Sequence, residues 1–142
     1  LRRINELKKF LSEFDNSIKL IEDIYEPKVY FDTIKGLENL GEKSKRCYKC
    51  YNFRMENACK FAKENSFDYF TTTLSISPYK ISEWINEIGE NLEKKHKIKY
   101  LYADFKKKNG YKRSLELSKK YNLYRQDYCG CIYSKQAREI II

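Results

Sequence analysis

Two pairs of closely spaced cysteines are the residues of this sequence best suited to chemistry. Cys47 and Cys50 form a C-x-x-C motif in "RCYKC", and Cys129 and Cys131 form a C-x-C motif in "YRQDYCGC". The first spacing suits two ligands of one metal ion or cluster, and it equally suits a redox pair of the thioredoxin type at a helix start. The residues alone therefore leave metal binding and redox chemistry open for this pair.

The C-x-C pair allows the same two interpretations. A disulfide across one intervening residue closes a small ring whose geometry is hard to satisfy, and strained disulfides tend to be labile or catalytic. Gly130 relieves backbone strain between Cys129 and Cys131 in either state. The two residues are thus either two ligands of a four-sulfur site with Cys47 and Cys50, or a dithiol that donates two electrons.

The remaining cysteine and the single histidine offer less. Cys59 lies within a predicted helix and is expected to be a small core residue. His96 lies in the charged stretch "EKKHKIK", which predicts a surface position rather than a catalytic one. Nucleophilic catalysis by a serine or cysteine paired with a histidine therefore has no good candidate.

The composition favours a polyanionic partner. The chain has 142 residues, the size of one domain spanning residues 1–142, and 29 Lys and Arg against 20 Asp and Glu give a net charge of +9. The 13 tyrosines and 8 phenylalanines, interleaved with basic residues, are able to stack on unpaired bases. A Lys- and Glu-rich surface set by genome composition is the alternative explanation.

The cellular location follows from what the sequence lacks. No apolar run approaches the length of a membrane span, and no signal-peptide core is present. We therefore expect a cytoplasmic protein with no membrane partner, in which clustered thiols indicate metal or redox chemistry rather than structural disulfides.

The elements that must position the cysteines alternate between helix and strand. Hydrophobic periodicity predicts helices over residues 1–14, 27–40, 48–65, 77–96 and 111–123, and strands over 17–23, 67–76 and 98–105. In the helix over 48–65, Phe53, Ala58 and Phe61 are the candidate buried positions, and the helix over 77–96 has one apolar stripe: Ile81, Trp84, Ile85, Ile88 and Leu92.

This alternation predicts an α/β fold with three layers, a mainly parallel sheet with flanking helices of Rossmann-like type. Chemistry in such sheets collects in the loops beyond the carboxyl ends of the strands. The segments at residues 77–80 and 106–111 are therefore expected to border the site.

With these segments in place, the chain resembles the QueH type of epoxyqueuosine reductase from Leu1 to about Lys135. The most specific parts are the C-x-x-C-Y-x-x-R of Cys47 to Arg54, the "TTTLSISPY" of Thr71 to Tyr79, and "YRQDYCGC". The resemblance implies reduction of epoxyqueuosine to queuosine at the wobble position of tRNA, a two-electron, two-proton reaction that removes the epoxide oxygen as water. It implies a [4Fe-4S] cluster with an additional iron ion beside it, and an electron donor that the sequence does not identify.

The resemblance also implies roles for the cysteines. Cys47 and Cys50 are similar to two cluster ligands of the family, and Cys129 and Cys131 are similar to its redox-active pair. Family members begin with a strand and a C-C-x-P-C motif that supplies the remaining ligands. This sequence starts at Leu1, after the position of that segment, so we expect the first strand to be missing and the activity of this chain alone to be doubtful.

Other residues are assigned by their position beside these motifs. An iron or a tyrosine hydroxyl is expected to polarise the epoxide oxygen, and a tyrosine, with Tyr79 and Tyr128 as the candidates, to protonate it. The wobble base is expected to stack on one of four tyrosines: Tyr79, Tyr111, Tyr124 or Tyr128. The basic residues 106–108 and 112–113 are expected to hold tRNA phosphates. Substrate and tRNA contacts are further expected from five residues: Arg54, Ser77, Lys80, Arg113 and Arg125. Arg54 and Arg125 serve equally well as structural ion-pair partners.

Two rival functions remain. In the first, the chain is a basic RNA-binding module without catalysis, stapled by one Zn²⁺ on Cys47, Cys50, Cys129 and Cys131. In the second, it is a thioredoxin-like oxidoreductase acting on protein disulfides, which the basic, tyrosine-rich loops argue against. Metal content and the requirement for tRNA separate these functions from the reductase.

Overall fold

A computed structural model describes residues 1–141 as an α/β protein. Its helices are α1 (Arg2–Phe14), α2 (Pro27–Thr33), α3 (Lys45–Glu64), α4 (Ser82–His96), α5 (Gly110–Lys120) and α6 (Ile132–Ile141). Two short strands, β1 (Tyr69–Phe70) and β2 (Lys99–Tyr100), pair in parallel, with Tyr69 opposite Lys99 and Phe70 opposite Tyr100. A single 3₁₀ turn, Leu74–Ile76, follows β1.

The chain divides into two compact units. The sheet unit comprises Glu26–Tyr111, and the helical unit comprises residues 1–25 together with the described residues from Lys112 onward. The sheet unit therefore holds α2, α3, α4 and both strands, whereas the helical unit holds α1, most of α5 and α6. That residues 1–142 form a single domain stays a prediction.

The core of the sheet unit lies between α3, α4 and the two strands. One face of α3 is buried, and so is one face of α4, because each helix has apolar residues at helical spacing. The strands close the cluster, whose members are Tyr51, Met55, Cys59, Ala62, Phe70, Ile85, Ile88, Leu92, Ile98 and Tyr100. The predicted apolar stripe of α4 and the core position of Cys59, which is 0% exposed, are confirmed.

The predicted sheet is confirmed only in part. The parallel pairing and the crossover through α4 agree with the α/β prediction, but the described residues form a two-stranded sheet rather than the centre of three layers. Residues 17–23, all within the described part of the chain, form no strand, so that prediction is wrong. Ile18 and Ile21 there are about half exposed, and an alternating apolar pattern forms a strand only where a partner edge is available.

The buried face of α3 also differs from the prediction. Phe53 is only partly buried, while Ala58 and Phe61 are exposed. The helix instead buries Tyr51, Met55, Cys59 and Ala62, a stripe offset by one position along the helix. Aromatic residues lie on several sides of this helix, so composition alone does not fix which side faces the core, and Phe61 packs against Phe67 at 6.1 Å between ring centroids.

A polar network inside the core fixes the segment that follows β2. The Tyr100 hydroxyl donates a hydrogen bond of 2.7 Å to Oδ1 of Asn86, whose Nδ2 donates to the Ala103 carbonyl at 3.1 Å. Burial raises the pKa of Tyr100 to about 12. Asn86 is 4% exposed and has both polar ends paired, so α4 holds the chain beyond β2 in one conformation.

Aromatic packing holds the helical unit together. Phe10 and Phe14 of α1 stack at 4.9 Å, and Phe10 meets the ring of Tyr121, which directly follows α5, edge-on at 5.2 Å. Edge-to-face contacts of this kind add stability beyond the buried area. The helix over the C-terminal residues, α6, was not predicted.

A charged cluster joins α3 to α4 and makes the stability of the sheet unit depend on pH. Oε1 of Glu56 accepts hydrogen bonds from Nζ of Lys95 at 2.7 Å and lies 2.9 Å from Nε2 of His96. The hydrogen bonds from Lys95 and His96 lower the pKa of Glu56 below its ordinary value of 4.5. Only 16% of the His96 side chain is exposed, so His96 is more buried than the predicted surface position.

Because the folded state lowers the pKa of Glu56, its stabilising contribution is complete above pH 4.5 and is lost as the pH falls through the lowered value. Glu56→Gln is expected to cost about 1 kcal/mol of unfolding free energy at pH 7, and the gap to wild type should close in acid. Urea unfolding across this pH range measures it. Glu116→Gln, which breaks a 3.5 Å pair with Arg113 on the exposed side of α5, is the matched control and should cost almost nothing.

Candidate functional site

The C-x-x-C motif lies at the beginning of α3. Cys47 and Cys50 are three residues apart on a regular helix, so both thiols lie on one face, and Arg54 follows on the same face one turn later. Cys47 lies in the first helical turn, where unpaired backbone N–H groups and the helix dipole favour negative charge. Both thiols are partly exposed, which leaves them accessible to a metal or cluster.

The start of α3 is anchored by a buried arginine. Arg46, 4% exposed, donates a hydrogen bond of 2.8 Å to the carbonyl of Glu38 and another to that of Leu40. Its guanidinium therefore satisfies the carbonyls of the preceding loop and is not directed to a ligand. These hydrogen bonds fix the position of the first turn of α3, which carries Cys47.

Aromatic residues and one lysine surround this pair. Tyr48 meets Trp84 of α4 edge-on at 5.5 Å, and Tyr51 lies 6.5 Å from the same indole. Lys80 extends from the loop after the 3₁₀ turn to a position 5.4 Å from the ring centre of Tyr51. The structure thereby brings Lys80, predicted to bind substrate, next to the helix that carries Cys47 and Cys50.

The loops beyond β1 and β2 are joined to each other, as expected at the carboxyl edge of a parallel sheet. The hydroxyl of Ser75, 1% exposed, accepts a 3.0 Å hydrogen bond from the backbone N–H of Phe105, and Thr71 Oγ1 donates to the Leu101 carbonyl at 3.0 Å. Ser77 Oγ accepts from the N–H of Tyr79, whose side chain is 60% exposed. Tyr79 is thus presented to solvent by an ordered turn.

Two of the basic residues at the predicted tRNA surface have acidic partners. Nζ of Lys106 lies 2.8 Å from Oδ1 of Asp104, and Arg113 pairs with Glu116. Burial acts to raise the pKa of Asp104, but the hydrogen bond and charge of Lys106 outweigh it and lower that pKa. Lys107, Lys108 and Lys112 are exposed beside them.

The C-x-C motif forms the turn that begins α6. Cys131 immediately precedes the helix, and its carbonyl accepts the first helical hydrogen bond, from Lys135 N–H at 3.2 Å. Its Sγ accepts a hydrogen bond of 3.3 Å from the backbone N–H of Ser134, while Ser134 Oγ accepts one of 3.1 Å from the N–H of Cys129. Cys131 therefore acts as a sulfur N-cap of α6, and the Ser134 hydroxyl bonds the backbone two residues before that cap, with Gly130 at φ +102° between the two cysteines.

Basic residues of α1 lie against this part of the helical unit. A Cβ on Gly130 would lie 2.8 Å from Nη1 of Arg3, so the Arg3 guanidinium contacts the turn. Arg2 stacks its guanidinium 3.5 Å above the ring of Tyr124, whose N–H donates to Glu6. One face of the predicted base-stacking Tyr124 is therefore already covered.

The remaining predicted residues of the helical unit have structural partners. Arg125 donates hydrogen bonds to the Ser114 carbonyl at 3.2 Å and to Ser118 Oγ at 2.8 Å, which ties it to α5. The carbonyl of Tyr128 accepts a 2.8 Å hydrogen bond from Gln126. Whether Arg125 contacts tRNA or serves as an ion-pair partner stays a prediction.

Sequence reasoning overlooked Arg3 and Ser134. Arg3 is one of several charged residues of α1, and nothing in the sequence points from it to Gly130. No helix is predicted after residue 131, so nothing in the sequence indicates the role of Ser134.

Within residues 1–141, no group of three or more His, Cys, Asp or Glu side chains is arranged to hold a metal ion. None of the helices formed by the described residues is both long and apolar enough to cross a membrane.

The sequence is similar to a described protein family and to several curated proteins. A family described as Epoxyqueuosine reductase QueH matches residues 1–137. Proteins named Epoxyqueuosine reductase QueH from Streptococcus pyogenes serotype M1 and Staphylococcus epidermidis are 41% and 38% identical over 98% and 99% of this chain. One from Thermotoga maritima is 37% identical over 74% of it. The chain spans 56%, 61% and 55% of these relatives' lengths.

Fold and site together define an α/β protein with two cysteine pairs, each at the beginning of a helix. Cysteine pairs at helix starts are typical of metal sites and of thiol redox sites. Within it, the chain belongs to the epoxyqueuosine reductase QueH family, as its resemblance to that family predicts.

Proposed function

We propose that this chain carries out reduction of epoxyqueuosine to queuosine in tRNA. The observation that carries the proposal is the family match over residues 1–137, which includes both cysteine pairs. The epoxide takes up two electrons and two protons, its two C–O bonds break, and an alkene and water result. Oxidation of the Cys129 and Cys131 thiols to a disulfide supplies two electrons and two protons, so the reaction balances.

Cys47 and Cys50 are proposed to bind an iron–sulfur cluster. Two partly exposed thiolates on one helical face form a soft donor set that fits iron–sulfur ligation, and the two residues would be two of the cluster's ligands. When bound, a [4Fe-4S] cluster supplies one-electron redox chemistry at the substrate, and an additional iron would act as a Lewis acid. Tyr48, Tyr51 and Trp84 pack beside the pair and would limit access of water to it.

The tRNA is proposed to contact the exposed basic and aromatic residues. Lys80 and Arg54 lie on the side of the sheet unit that carries Cys47, and Ser77 orders the turn that exposes Tyr79. Exposed lysines beside α5 would neutralise phosphates, which makes binding dependent on salt. Tyr79 and Tyr128 remain the candidates for the proton donor. As an enzyme acting on tRNA, the protein is proposed to work in the cytoplasm with an electron donor of unknown identity.

Metal reconstitution tests the cluster assignment apart from turnover. Anaerobic loading with iron and sulfide should give the visible absorption of an iron–sulfur cluster, and Cys47→Ser with Cys50→Ser should abolish it. Cys59→Ala removes a buried core thiol and should keep the absorption. Uptake of one tightly held zinc without iron would instead support the zinc-stapled module, and disulfide reduction independent of tRNA would support the thioredoxin-like alternative.

A further inference from the structure

A pocket of about 350 Å³ lies at the amino edge of the sheet, where β1 and β2 begin. The residues that line it come from the end of α3, the turn before β1 and the residues that lead into β2: Lys63, Phe67, Asp68, Lys97, Ile98 and Lys99. Lys63 lies sixteen residues beyond Cys47 on α3, which corresponds to about 24 Å of helix. This amino-edge pocket is therefore separate from the site around the C-x-x-C motif.

The charges of the amino-edge pocket favour an anionic ligand. Three lysines and one aspartate line it, so positive charges outnumber negative ones by three to one. All four of these residues are exposed, and across residues 1–141 no carboxylate forms an ion pair with Lys63, Lys97 or Lys99. Cations that converge on one concave site without acidic partners raise the local concentration of anions.

Closure of the helix ends does not require these lysines. The N–H groups of Ser66 and Phe67 donate to carbonyls in the last turn of α3 at 3.3 and 2.9 Å, with Ser66 at φ +57°. This arrangement is a Schellman motif, in which the backbone itself satisfies carbonyls at the helix end. The last turn of α4 has basic residues at 94–96, which already complement its dipole. Lys97 and Lys99 lie beyond that turn, so their charges remain available to a ligand.

Two aromatic rings are presented at the same edge of the sheet. Phe67 is 55% exposed, and its ring packs against Phe61 at 6.1 Å between centroids. Tyr69 is 54% exposed and lies opposite Lys99 in the strand register, with Nζ of Lys99 5.6 Å from its ring centre. Exposed rings beside ammonium groups suit a single-stranded nucleic acid, because bases stack on the rings while phosphates meet the charges. A small inorganic anion would use the lysines alone.

We propose that the amino-edge pocket is a second tRNA-contact surface, which binds one unpaired nucleotide and its flanking phosphates at a distance from the nucleotide that is modified. The lysines neutralise the phosphates, and Phe67 or Tyr69 stacks on the base. Asp68 is suited to accept a hydrogen bond from a ribose 2′-hydroxyl, the group that distinguishes RNA from DNA. The inference deepens the proposed function and rests on it, because tRNA is the substrate there.

Binding of an unmodified tRNA transcript tests the proposal without any reduction step. The affinity of the full chain is measured by fluorescence anisotropy between about 50 and 200 mM salt, where phosphate contacts dominate the salt dependence. Lys97→Gln with Lys99→Gln should weaken binding about tenfold at the lower salt and reduce the slope of log affinity against log salt by about 1.5. Lys28→Gln with Lys35→Gln removes the same charge from exposed positions in and just after α2, and it should leave the slope nearly unchanged.

The aromatic contribution has a different signature. Phe67→Leu keeps an apolar side chain against Phe61 but removes the stacking face, so affinity should fall about tenfold while the salt slope stays the same. Phe31→Leu, at an exposed position of α2, serves as its control and should change neither quantity. A lysine variant that matches its control in affinity and slope, or a Phe67→Leu protein that binds as tightly as wild type, would overturn the proposal. The predicted binding losses in a protein that does not reduce epoxyqueuosine would contradict the proposed function only.

Discussion

Cys131→Ser is expected to abolish epoxyqueuosine reduction in a single turnover, a loss of about a thousandfold or more. Serine is a good N-cap residue, so the variant should keep α6 and lose only the redox chemistry. The measurement uses fully reduced, iron-loaded protein, from which excess reductant has been removed, mixed with tRNA bearing epoxyqueuosine. Wild type should form about one queuosine and one Cys129–Cys131 disulfide per protein molecule, and the variant neither.

Cys59→Ala is the control for loss of a thiol. Its side chain is buried in the core of the sheet unit, away from both pairs in the sequence, and its removal should lower stability and leave turnover intact. Queuosine formation by Cys131→Ser at a substantial fraction of the wild-type rate would show that electrons reach the substrate without the pair. The redox role proposed for Cys129 and Cys131 would then be wrong.

Gly89→Ala is expected to destabilise the sheet unit by about 2 kcal/mol or more. Gly89 lies on the buried face of α4, and a Cβ at this position would lie well inside van der Waals contact with the ring of Tyr100. Moving that ring would strain two hydrogen bonds, from the Tyr100 hydroxyl to Asn86 and from the Tyr100 backbone N–H to Glu93 at 2.6 Å. The cost of overpacking therefore exceeds the roughly 1 kcal/mol that alanine gains in a helix.

Thermal and urea unfolding measure this effect. Gly41→Ala is the matched control, since a Cβ at Gly41 meets no atom within 4 Å, and it should leave the unfolding midpoint nearly unchanged. A Gly89→Ala protein as stable as wild type would mean that α4 and β2 are able to separate at little cost. The fixed placement of the segment after β2 would then be unsupported.

Helix positions were largely predictable from the sequence, and the sheet was not. The apolar stripe of α4 and the start of α2 at Pro27 follow from periodicity and from proline's fixed φ. The prediction of a strand at 17–23 was wrong because an alternating apolar pattern suits a strand but does not show whether a neighbouring strand is present to pair with it. The buried face of α3 was predicted wrongly because aromatic residues lie on more than one side of the helix. Tyr51 and Met55 are buried, whereas Phe53 and Phe61 are not.

The site was predictable as residue types but not as geometry. Spacing alone identified both cysteine pairs. The expectation that loops after the strands border the site included Lys80. The N-cap role of Cys131 depends on α6, a helix that the sequence analysis did not predict. The contact of Arg3 with the C-x-C turn joins residues more than a hundred positions apart. Long-range contacts of this kind arise from packing and have no local signature.

The central claim is that this chain removes the epoxide oxygen of epoxyqueuosine in tRNA. The most direct measurement is mass spectrometry of nucleosides digested from that tRNA after incubation with the reduced, iron-loaded protein. The account predicts that the epoxyqueuosine signal is replaced by a nucleoside lighter by one oxygen atom. Unchanged epoxyqueuosine, with protein that carries its cluster and a reduced Cys129–Cys131 pair, would contradict it.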